Sequence, residues 1–352
     1  MKNICIKASA LALLFAGASF FASCGKKTDE PKPTPPEKKE EVKPTPTPAD
    51  GDLPEITKVT FRIGESHLHS KKGIHYLGNN AQLTFPLLAQ EQLITFVKEG
   101  DTWKLAAGAP DKFLATEMIQ YFKNDPTSAA PDYALWVKYY DAKGNEVNAA
   151  YADAKVRNQY QLFVFPTDVK AFEDSDDEIE FDPANPRNVF HYEYCDTDPW
   201  NKSFQWSAKH DPEGKQVKWL SDNEPVGMKG YMQFKKMSYF TLHFALWHAP
   251  KGKLEGGKPA PFYAPNKQFT EGGKKIFEVT LPVYVCNTRA FSDRLKEGHQ
   301  GGPTPYEQLF GDDATMADRL KKVLKTEDWM KIAQDFVNIY KGTGDEKGGE
   351  EF

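Results

Sequence analysis

Residues 57–63, TKVTFRI, alternate polar and apolar side chains, with Val59, Phe61 and Ile63 on one side and Thr60 and Arg62 on the other. A period of two is that of a strand with one buried face. QEQLITFVKEGDTWKLAAG and YALWVKYYDAKGNEVNA each read as two strands about a turn, at Lys98 to Asp101 and Asp141 to Asn145, where Gly100 and Gly144 supply a positive φ. QYQLFVFP is one more strand, and APDKFLATEMIQYF between them reads as a short helix.

A second run of strands follows in NVFHYEYCD, GYMQFKK, YFTLHFALWH and KIFEVTLPVYVC, crowded with the aromatic and β-branched residues that suit a pleated, packed surface. Between the runs lies EDSDDEIEFD, seven acids in ten residues. It lacks the glycine and terminal glutamate of an EF-hand loop and reads as a solvated linker. After the glycine-rich EGHQGGPTP, the segments DATMADRLKKVL and TEDWMKIAQDFVNIYKG take a helical period. Thr326 is an N-cap, Glu327 and Asp328 suit the positive end of the helix, and Gly342 ends it.

Short strands without long alternating helices predict a mainly β chain of two antiparallel β-sandwich-like domains and a short C-terminal helical segment. The expected limits are a first β domain at 55–172, an acidic linker at 173–187, a second β domain at 188–292, helices at 303–342 and a disordered tail at 343–352.

The ends of the chain add an address. MKNICIKASALALLFAGASFFASC has two lysines, an apolar stretch and small residues closing on a cysteine, the build of an export signal over 1–23. FFASC resembles the lipobox of bacterial lipoproteins, with Phe21 where leucine is usual. The resemblance covers only the leader and implies that Cys24 becomes the acylated N-terminus. Gly25 after it, and Asp29 and Glu30 soon after, resemble Bacteroidota lipoproteins of the outer membrane or cell surface.

Residues 24–54 hold eight prolines and almost nothing apolar, the composition of an extended tether reaching at most roughly 90 Å. No later run approaches the roughly 20 apolar residues of a membrane helix. The expectation is a soluble body held by lipid, on the cell surface or the periplasmic face of the outer membrane. Cys24→Ser should leave an uncleaved or soluble precursor; membrane partitioning unchanged by that substitution refutes acylation.

Charge and histidine sharpen the chemistry. The formal net charge is −5, and removing the leader takes away two lysines and no acid, which argues against nucleic acid as a partner. GESHLHSKKGIH carries three of the chain's eight histidines. If the first strand continues past Ile63, Glu65, His67 and His69 project from one face about 6.7 Å apart, and SKKG is a tight connection that returns His75 alongside. Imidazoles with a carboxylate suit zinc, copper or nickel and not calcium or magnesium. Glu65 is either a ligand or a group that fixes an imidazole tautomer.

A second set, His191, Glu193 and His248, lies on two other predicted strands. Cys195 and Cys286 are the remaining thiols, open to a disulfide or to two buried free thiols.

The sequence carries no G-x-S-x-G, H-E-x-x-H, P-loop or G-x-G-x-x-G, so of catalytic chemistries only a zinc-dependent hydrolase stays open. The best-fitting function is capture of zinc or another transition metal for an outer-membrane uptake system, with a TonB-dependent transporter as partner. Haem binding through histidine is a close variant. A glycan-binding or adhesive lipoprotein, using Trp136, Trp200, Trp206 or Trp219 to stack on sugars, is the alternative.

Overall fold

The computed structural model describes residues 53–68, 71–76, 91–120, 129–171, 178–202, 217–286 and 350–351. The leader, most of the tether, His69, Trp206 and the expected helices at 303–342 lie outside them. No described helix is long and apolar enough to cross a membrane.

The described chain is mainly β. It begins with β1 (Lys58–Leu68), β2 (Ile74–Tyr76), β3 (Gln92–Glu99), β4 (Thr102–Leu105), β5 (Phe113–Thr116), β6 (Ile119–Gln120), β7 (Ala129–Ala130), β8 (Asp132–Tyr140) and β9 (Tyr160–Lys170). There follow β10 (Phe190–Tyr194), β11 (Thr197–Asp198), β12 (Lys218–Trp219), β13 (Lys229–Phe234), β14 (Ser238–His248), β15 (Lys274–Cys286) and β16 (Glu350–Glu351). Two short helices, α1 (Asn148–Ala152) and α2 (Lys267–Thr270), interrupt them.

One sheet runs β10-β13-β8-β1-β2-β16, with β3 also on β1 and β4 on β3; a second runs β5-β15-β14-β9. The long strand β1 keeps β8 on one edge and gives its other edge first to β3, over Lys58 to Ile63, and then to β2, over Ser66 to Leu68. All pairs are antiparallel except β5 with β15.

The sheets face each other across one apolar core. Val59, Phe61 and Ile63 of β1 are fully buried, as their period predicts, and the Phe61 ring lies 4.3 Å from that of Phe244 on β14. Tyr139 on β8 meets Phe277 on β15 at 6.0 Å. Each such side chain contributes about 1.5–3 kcal/mol by leaving water.

The segments 55–172 and 188–292 therefore do not each close a sandwich. Strands from both enter both sheets and one core cluster. The acidic stretch does not divide them either: Ile179 and Phe181 alternate with the acids and pack on that core.

Three local expectations also change. FLAT forms β5 rather than a helix, because Phe113 and Ala115 bury completely and Leu114 nearly so. After Asp141 to Asn145 the return strand is a single bridge, Tyr140 to Glu146. Its place is taken by Asn148, whose Oδ1 accepts from the Tyr139 N–H at 2.7 Å and whose amide donates to the Val137 carbonyl at 2.8 Å. In the expected disordered tail, Glu350 and Glu351 pair with β2. The turns at Gly100 and Gly144 take φ of 61° and 82°, as anticipated.

Candidate functional site

β1 does continue past Ile63, so Glu65 and His67 stay on the side of Phe61 and Ile63. The connection then reverses the chain and the register sets His67 opposite His75, between Ser66 opposite Tyr76 and Leu68 opposite Ile74. Directly opposed residues share a face, with Cβ atoms about 4.5–5.5 Å apart. Glu65 is buried and stands opposite Tyr133 of β8, while His67 is half-buried. His69 lies outside the described residues, among which no three His, Cys, Asp or Glu side chains form a metal-holding group.

The hairpin is fastened by its apolar and polar neighbours. Leu68 and Ile74 bury in a cluster with Ala134, Cys195 and Tyr231. The Tyr231 hydroxyl donates to the Lys71 carbonyl at 3.3 Å, Lys71 Nζ lies 3.8 Å from Glu193, and Lys72 pairs with Asp222 at 2.6 Å.

Beside Ser66 stands Asp132, fully buried, whose Oδ1 accepts from Gln233 Nε2 at 2.7 Å. Burial pushes the Asp132 carboxyl up to about 8, against the pull of the Gln233 bond. Its Oδ2 and the Ser66 hydroxyl have no hydrogen-bond partner among the described residues.

Of the second expected set, two members meet. His191 and Glu193 lie two positions apart on β10, with Nε2 and Oε2 3.5 Å apart, and both line a cleft of about 150 Å³ with Lys72, Arg187, Lys253 and Phe262. Gly230 permits this stretch to pack, since a Cβ there would come within 2.5 Å of the Glu193 carbonyl and the Tyr192 hydroxyl.

His248 does not join them. It ends β14 in the other sheet, stacks on Tyr160 at 4.5 Å and bonds to Gln159 at 3.1 Å. Burial, then Lys274, lower its pKa. The trio His191, Glu193 and His248 is thus not brought together: His248 is held by Tyr160 and Gln159, and no such group forms among the described residues.

Cys195 is a buried free thiol, pushed up by burial, at the end of β10 in the first sheet, whereas Cys286 ends β15 in the second. The disulfide is not formed.

Two interior cations escape any sequence reading. Lys253 is 1% exposed, and its ammonium donates to the carbonyls of Arg157, Tyr160, Glu224 and Pro225 at 2.6–3.1 Å. Lys229 is equally buried, bonded to Thr197 and the Lys202 carbonyl. Nearby Asp196 accepts the N–H groups of Gly227 and Lys229 at 2.6 and 2.7 Å. Lys253 also lines the cleft, and both lysines tie together segments remote in sequence. Trp136 and Trp200 are partly buried against the core clusters, and Trp219 is half-buried.

No protein-family model and no curated protein sequence matches the chain.

Proposed function

We propose that this chain is a lipid-anchored, extracytoplasmic binding protein that captures a transition metal, zinc foremost, at the β1–β2 hairpin and serves an outer-membrane uptake system. The observation that carries the reading is the register of His67 opposite His75, on the strand face that Glu65 shares. Two imidazoles on neighbouring strands approach closely enough to tilt toward one ion, and nitrogen with carboxylate oxygen is a zinc donor set. His69 follows two positions after His67 in the sequence. Its lipobox-like leader supports the anchor, and a TonB-dependent transporter is the partner such a protein would serve.

Titration of the purified protein with zinc at neutral pH tests this. Binding tighter than tens of micromolar is expected, weakening as pH falls below about 6.5, where free imidazole takes a proton and ceases to ligate. The double change His67→Ala and His69→Ala should abolish stoichiometric binding and leave the far-UV circular dichroism intact. A wild type that binds no zinc, copper or nickel, or a double variant that binds as well as the wild type, refutes the reading.

A further inference from the structure

The cleft beside β10 draws on the edge strands of both sheets, since β10 ends one and β9 the other. His191 and Glu193 line it from β10, Gln161 from β9, and Asp222, Pro225 and the segment 259–262 from the loops. Its volume of about 150 Å³ is that of a cavity able to hold one six-membered ring. Three cations, Lys72, Arg187 and Lys253, line it against two acids, Glu193 and Asp222, in a chain whose formal net charge is −5.

These charges differ in what they leave free. Lys253 is spent on its four carbonyls and Lys72 on Asp222, while Glu193 has Lys71 at 3.8 Å. Arg187 has no carboxylate partner among the described residues. Its Nη1 donates to the Tyr263 hydroxyl at 3.1 Å and to Asn185 at 3.5 Å, and its guanidinium lies over the rings of Phe262 and Tyr263 at 5.4 and 4.9 Å. The Nε and Nη2 groups, the pair that grips a carboxylate through two bonds, stay open. Burial and then the charge of Arg187 push the neighbouring Lys235 ammonium down, so the cationic end lacks an anion. The buried Gln161 gives its amide to the Tyr194 hydroxyl and the Ala260 carbonyl, both at 3.0 Å. Its Oε1 has no partner among the described residues and is an acceptor in need of a donor.

We infer that this cleft binds a small organic acid of one ring's size, its carboxylate on Arg187 and its hydroxyl groups donating to Glu193 and Gln161. Both acids already have a lysine beside them, so the ligand needs no positive charge of its own, and neutral hydroxyl donors suffice. Pro225, Pro259, Pro261 and Phe262 supply the apolar lining for its C–H face. The site uses none of the hairpin's histidines and stands apart from the metal reading.

D-Glucuronate, a hydroxylated ring bearing one carboxylate, is the probe, titrated into the full chain with a chelator present so that no metal takes part. A dissociation constant of about 1 mM or below is expected, the range open to so small a ligand. D-Glucose should bind about tenfold or more weakly, since it lacks the charge-assisted bond. L-Glutamate, which has the carboxylate but carries an ammonium in place of hydroxyls, should also bind more weakly than glucuronate. Arg187→Gln should erase the difference between glucuronate and glucose, and Lys236→Gln, at an exposed lysine outside the cleft lining, should preserve it. The inference falls if glucuronate does not bind at about 10 mM, or if glucose or glutamate binds as well. It falls equally if the two variants lower glucuronate affinity alike, which would make the effect one of general charge.

Discussion

Replacing Lys253 with methionine lowers the free energy of unfolding by about 3–5 kcal/mol, the usual cost of removing one partner from a buried charge network. Methionine keeps most of the volume, so the loss isolates the ammonium. Four carbonyls, from Arg157, Tyr160, Glu224 and Pro225, share that one donor group, and each orphaned acceptor costs about 1–3 kcal/mol unless water replaces it. Burial pushes Lys253 down to about 7 against the attraction of Asp196 and Glu224, so the site strains the ion and depends on it together. Denaturant unfolding of Lys253→Met, with the exposed Lys251→Met as control, reads the effect. A loss below about 1 kcal/mol would show the carbonyls to be satisfied by something else.

Asp132→Asn removes most of the dependence of stability on pH between about 4 and 8. The carboxyl is raised in the folded protein from 3.8 to about 8. The unfolded chain gives up its proton near pH 4 while the folded one keeps it. Stability from this group is full below pH 4 and drains away as pH rises to about 8, by several kcal/mol in all. Asparagine is neutral throughout and keeps the oxygen that accepts from Gln233. The paired carboxylates Glu224, Glu278 and Asp222 are lowered and act in the opposite sense, so the difference between variant and wild type is the quantity to follow. Parallel urea midpoints from pH 4.5 to 8 would refute it.

The strands that sequence predicts well are those with one wet face. β1 and β14 alternate because solvent meets every second residue of much of their length. β5 does not alternate, since Phe113, Leu114 and Ala115 are all buried, and a short apolar run looks alike in helix and strand. An acidic run reports solvent on some of its residues. It does not report which strands pair across it, and that is why two expected domains are one.

The register of His67 opposite His75 is legible through the strand phase and the tight connection, whereas the pairing of β16 with β2 is not, because it joins remote segments. Lys253 is illegible for the same reason. In PKGKLEGG it looks like any loop lysine, and the carbonyls that bury it come from two other stretches of chain.

The parallel pairing of β5 with β15 has a consequence for how this chain is made. β5 is synthesised early, yet its neighbour β15 begins only at Lys274 and β8's neighbour β13 only at Lys229. Until those residues have emerged, both strands present unpaired backbone and a bare apolar face. A polypeptide released at residue 172 has no finished half to fall back on, and should aggregate or be degraded rather than persist as a fragment. Folding must wait for nearly the whole strand-bearing sequence and then close contacts of long separation, which makes it slow. An export route that delivers the chain unfolded and shields it until Cys286 has passed would suit such a topology; one that releases it piecemeal would not.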